Sequence, residues 1–110
     1  MTATTDEGTA IYSTFGGDPE LGELVELFVH ELPDRISTLE EAFASKDENT
    51  LRRTAHQLKG AGGSYGFDQL TPLAAAVELA ESGGEPEENI WRALQQLITV
   101  CQQFRAGEPC

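Results

Sequence analysis

The sequence predicts an all-α fold: an antiparallel up-down four-helix bundle with a short N-terminal covering helix. Three observations carry this. Apolar residues recur at three- and four-residue spacings through four segments. Strand signals are poor, and no period-two alternation is sustained. The breaks between segments are short and hold glycine, proline or aspartate, lengths that return each helix beside the last. At 110 residues the chain makes one domain, 1–110, with its bundle core at about 18–105.

The elements follow in order. Ala10-Ile11-Tyr12-Ser13-Thr14-Phe15 reads as the short covering helix. The first long helix opens at Asp18-Pro19-Glu20, with Asp18 as N-cap, Pro19 at the first helical position and Glu20 at the positive dipole end. Leu21, Leu24, Val25, Phe28, Leu32, Ile36, Leu39 and Phe43 form its apolar stripe. Pro33 falls inside, but the stripe resumes in phase at Ile36, so the spacing predicts one bent helix rather than two. The second helix runs from about Asp47 to Ser64. The third spans Leu70 to Glu81, with Pro72 in its first turn and Gly83-Gly84 ending it. The fourth begins near Pro86 and places Ile90, Leu94, Leu97, Ile98, Cys101 and Phe104 on one face; Glu85, Glu87 and Glu88 are dipole-compatible charges at its start.

Composition excludes several classes. The formal net charge is -12, which argues against nucleic acid and against anionic membrane surfaces. No apolar run spans a bilayer, and Met1–Glu7 lacks the features of a secretory signal. Cys101 and Cys110 read as free thiols in a reducing compartment, so a cytoplasmic, free-standing protein is expected.

His56 is the most informative residue. With Leu51 set at 0°, Ala55, Leu58 and Gly62 cluster at roughly 340–40°, whereas His56 falls near 140°, off the buried stripe. Arg52, Lys59, Gly60 and Gly63 fall between about 80° and 180°, on its face. Of the 7 Lys and Arg residues, Arg52, Arg53 and Lys59 bracket this histidine within eight positions. Cations suit an incoming dianionic phosphoryl group, and glycines let another backbone approach. Neutral imidazole is a competent nucleophile near pH 7. A carboxylate on one ring nitrogen would fix the tautomer and leave the other to attack. His30, opposite the first helix's stripe, reads as a plain surface residue, and the two histidines offer no zinc site.

Gly60, Gly62, Gly63 and Gly66 crowd seven positions. Either the helix ends at Gly60 with glycines as cap and loop, or it continues, since Gly62 and Tyr65 keep the spacing of Leu51, Ala55 and Leu58. In the second case Gly62 permits close packing on the core side, Gly60 and Gly63 clear the outer face, and Gly66 ends the helix.

Ala55-His56-Gln57-Leu58-Lys59-Gly60, followed by Gly66, resembles the signature of histidine-containing phosphotransfer (HPt) domains, A-H-x-L-K-G with a glycine six residues after the first. The likeness extends over about Ile11 to Phe104. It implies a phosphorelay intermediate of two-component signalling, which accepts a phosphoryl group on His56 from one receiver aspartate and passes it to another. Lys59 would contact the phosphoryl oxygens, and Gly60 would let the receiver dock, with Arg52, Gln57 and Gly63 around it. Glu78 resembles in spacing the third-helix glutamate that bonds the histidine in some members, such as the phosphotransfer domain of the chemotaxis kinase. The partners implied are response-regulator receiver domains and a hybrid histidine kinase. The chain has no metal cluster and no nucleotide loop of its own, so Mg2+ is expected from the receiver and kinase activity is not expected. A monomer is expected, with a dimeric phosphotransferase and a non-phosphorylated helical interaction module as the competing readings.

Overall fold

The computed structural model describes residues 10–107; Cys110 and the Met1–Glu7 segment lie outside them. Four helices make up most of it: α1 (Leu21–Ala44), α2 (Glu48–Ser64), α3 (Leu70–Ser82) and α4 (Glu87–Cys101). Two two-residue strands, β1 (Ile11–Tyr12) and β2 (Phe104–Arg105), pair in parallel, Ile11 with Phe104 and Tyr12 with Arg105.

The first two helices begin at an aspartate. The Asp18 carboxylate accepts the Glu20 and Leu21 N–H groups, both at 2.8 Å, so it caps α1 although the helix is counted from Leu21. Asp47 caps α2, accepting the Thr50 N–H at 3.2 Å and its hydroxyl at 2.7 Å. Both carboxyls are held below the usual range: Asp18 by the Leu21 and then the Glu20 N–H, Asp47 by the Thr50 hydroxyl and then its N–H. α1 is continuous through Pro33. α2 runs past Gly60 to Ser64, and Gly66 follows in the left-handed region at φ 76°, so the second of the two glycine readings holds.

The core is one cluster, with Val25, Leu39, Leu58, Phe67, Leu70, Val77, Leu94 and Leu97 almost fully buried. Three expectations need correction. The N-terminal segment is not a covering helix. It forms β1, whose Ile11 N–H donates to Gln103 O at 2.8 Å, and it continues as a strap whose Thr14 N–H donates to Gly66 O at 3.0 Å. Phe104 is not on the α4 face: the helix ends at Cys101, and the β2 pairing turns Phe104 inward onto Phe67, centroids 4.1 Å apart. Leu24, placed on the α1 stripe, is 49% exposed, although Ala42 at the same angle by the 100° count is buried. Burial on that side of α1 therefore depends on position along the helix, and its first turns lie uncovered there.

Among the described residues, α2 and α3 pack on each other more extensively than any other two elements. The Thr71 hydroxyl donates to Lys59 O at 3.0 Å, and a Cβ on Gly62 would run into the Thr71 hydroxyl oxygen and approach the Thr71 nitrogen and Phe67 carbonyl to 3.0 Å. Rising numbers in α2 meet falling numbers in α3 (Gly62 with Thr71, His56 with Glu78, Arg52 with Glu81), so these two helices run in opposite directions. Gly63, by contrast, has nothing within 4 Å of its Cβ position. Gly62→Ala therefore lowers stability by about 1–3 kcal/mol through overpacking. Gly63→Ala raises it by about 0.5–1 kcal/mol through helix propensity. Urea titration of the two variants reads both, and equal effects would show that the seam is not close-packed.

Candidate functional site

The site is a row of side chains along the α2–α3 seam. His56 stands outward from the middle of α2 with 65% of its side chain exposed, because the stripe of Leu51, Ala55, Leu58 and Gly62 faces the core. Its Nδ1 lies 2.8 Å from Glu78 Oε2. The other oxygen of that carboxylate, Oε1, lies 2.8 Å from Lys59 Nζ. One glutamate from α3 thus grips both the ring and the cation one turn along α2. The Lys59 ammonium is the main reason the Glu78 carboxyl is held below its usual range; it overcomes desolvation, and the His56 hydrogen bond adds to it.

An ionised carboxylate can only accept, so the proton of this hydrogen bond belongs to Nδ1. In the neutral ring the lone pair then resides on Nε2. Gly60 and Gly63 have open space at their Cβ positions, so the outward face on the C-terminal side of the ring is low, with the exposed Gln57 beside it. The arrangement offers a fixed, solvent-facing nitrogen nucleophile with its far nitrogen anchored.

Arg52 is placed differently from the sequence expectation. It is on the His56 side of α2, but its guanidinium is committed: NH1 lies 3.1 Å from Glu81 Oε1 and NH2 2.9 Å from Asn49 Oδ1. Glu81 is buried, its side chain only 4% exposed. Arg52 is therefore the counter-ion of an interior carboxylate. Glu81 and Asn49 were not anticipated. A signal for Glu81 was present, since Leu70, Ala74, Val77 and Glu81 recur at helical spacing and a carboxylate on a buried stripe calls for a cation. Asn49, one turn before Arg52, carried none.

Other groups stand apart. His30 is exposed on α1, away from any recorded partner among the described residues. Cys101 is free and buried, and burial pushes its thiol up to about 12, so it stays protonated and inert. Glu87 pairs with Lys46 at 3.2 Å, and Glu88 with Arg92 at 3.5 Å. Among the described residues no group of three His, Cys, Asp or Glu side chains could hold a metal ion, and no helix is long and apolar enough to cross a membrane.

The site is thus an outward histidine on the second of four helices, anchored by a carboxylate of the third. Residues 23–107 match the family model described as Hpt domain. The chain belongs to the Hpt domain family, whose members serve phosphotransfer in two-component signalling and interact with its receiver and kinase components. Comparison with curated proteins gives no match, and neither does comparison with solved structures.

Two outcomes follow from the geometry. Arg52→Ala strands the Glu81 carboxylate in the interior and lowers stability by roughly 1–3 kcal/mol, and Arg52→Lys restores only part because an ammonium cannot reproduce the fork; thermal denaturation measures both. Glu78, with its lowered folded pKa, stabilises fully above its unfolded pKa, and that contribution is lost as pH falls through the folded value. The melting-temperature gap between wild type and Glu78→Gln thus closes once the pH falls below the carboxylate range, under about pH 4; a gap that persists there would refute the ion pair.

Proposed function

We propose that this protein is a phosphorelay intermediate in which His56 Nε2 takes the phosphoryl group of one receiver's aspartyl phosphate and hands it to the aspartate of another. The observation that carries this is the Glu78 carboxylate 2.8 Å from Nδ1 of a ring that faces water. As the lone pair of Nε2 forms the N–P bond, the acyl-phosphate O–P bond breaks and the aspartate leaves as a carboxylate. The ring keeps its Nδ1 proton and becomes cationic, and the ionised Glu78 stabilises that charge. Lys59 keeps Glu78 ionised and is close enough, one turn on, to turn toward the phosphoryl oxygens. Mg2+ comes with the receiver, which supplies the rest of the charge stabilisation.

The receiver docks over Gly60, Gly63 and Gln57, where nothing obstructs it, and the exposed Leu24 and Leu27 of α1 add apolar contact area. The short connections and the opposed run of α2 and α3 support an up-down arrangement of the whole bundle. One chain carries His56, Glu78 and Lys59 together, which favours a monomer.

Incubation with a radiolabelled phospho-receiver should give acid-labile, base-stable label that disappears in His56→Gln. Absence of label with every receiver of the same genome would leave a non-phosphorylated interaction module instead. Glu78→Gln should label about tenfold more slowly with its fold intact, because the tautomer and the ring cation lose their support; an unchanged rate would remove Glu78 from the mechanism.

A further inference from the structure

Three cations surround His56, and they are not equivalent. Lys59 is bound to Glu78, and Arg52 is bound to Glu81 and Asn49. Arg53 is exposed and makes no ion pair or side-chain hydrogen bond among the described residues; Asp47 feels it only as a nearby charge. In this strongly acidic chain, an unengaged guanidinium beside the nucleophile is a conspicuous exception.

Its position is also distinct. By the helical count Arg52 and Lys59 lie at about 100° and 80°, on the side of α2 that meets α3, with His56 at about 140°. Arg53 lies at about 200°, one turn before His56 and about 60° round on the opposite side. Glu78 holds Nδ1 on the α3 side, which leaves Nε2 as the ring nitrogen free of that contact. Asn49, Arg52, Arg53, His56 and Glu78 line a single shallow hollow, and Lys59 does not contribute to it.

Resting on the reading of His56 as phosphoacceptor, we propose that Arg53 binds the phosphoryl group carried on His56 Nε2, closing over its oxygens from the side opposite Lys59. A planar guanidinium with a long stem and no competing partner suits two oxygens of a dianion. The contact stabilises the phosphorylated form itself, independently of any docked protein.

The test separates contact with the phosphoryl group from contact with a docked receiver. Wild type, Arg53→Gln, Arg53→Lys, Lys59→Gln and the remote Arg92→Gln are phosphorylated with phosphoramidate. Its P–N bond breaks, ammonia leaves and the N–P bond forms on His56, with no second protein present. Where this donor labels poorly, the phosphorylated form is made with a phospho-receiver and then separated from it. Phosphorus NMR then follows the phosphoryl titration, and loss of label follows hydrolysis. The cation favours the dianion and stabilises the phosphorylated form, so Arg53→Gln should raise the titration midpoint by a few tenths of a pH unit and shorten the phosphohistidine lifetime about two- to fivefold. Arg53→Lys should recover part of this, and Arg92→Gln none. An unchanged titration and lifetime in Arg53→Gln overturns the proposal, whether or not transfer from a receiver slows. A response confined to Lys59→Gln also overturns it and leaves Lys59 as the phosphoryl contact. If neither route labels His56, the functional reading itself falls; if label forms and Arg53→Gln is silent, only this inference does.

Discussion

The structure depends on how closely α3 lies against α2. Gly62 has no side chain to hold the helices apart, and the Thr71 hydroxyl closes onto the Lys59 carbonyl in the space left. That approach lets glutamates of α3 reach across the seam, Glu78 to His56 and Lys59, Glu81 to Arg52. A wider seam would leave His56 a freely rotating surface imidazole. The histidine's chemistry is thus prepared by a glycine almost two turns away.

The charge pattern takes its meaning from the same seam. Net acidity makes positive charge scarce, and three of the 7 cations are gathered on α2. Two of them are neutralised across the seam. Their work is to hold carboxylates in place, one against the ring and one in the interior, and only then to shape the field an incoming phosphoryl group meets. The far end of α2 is secured by other means. The strap from β1 bonds to Gly66, Tyr65 stacks on Phe28 with centroids 4.5 Å apart, and Phe67 stacks on Phe104. These contacts fasten the loop after the helix, so the row of site residues sits on a helix fixed at both ends.

Much of the molecule was legible in advance. The four helices, and the limits of α2 and α3, followed from apolar spacing, from Asp47 and from the closing glycines, because these act over one or two turns. The outward direction of His56 and its pairing with Glu78 were also anticipated, the first from helical angle and the second from family resemblance. What could not be read was long in range. Ile11 and Phe104 stand at opposite ends of the described chain, and six apolar-leaning residues without their partner look as much like a helical turn as a strand. Leu24 carries the same periodic signal whether or not a neighbour covers it.

The sequence by itself determined which residues turn outward and which inward, since a helix's period converts spacing directly into direction. It therefore determined that an imidazole, three cations and two glycines share an outer surface. Tertiary structure decided what each cation does. A guanidinium's spacing along its own helix is the same whether it faces solvent or a buried carboxylate on another helix. Only the docking of α3 committed Arg52 to Glu81 and Lys59 to Glu78 and left Arg53 unengaged.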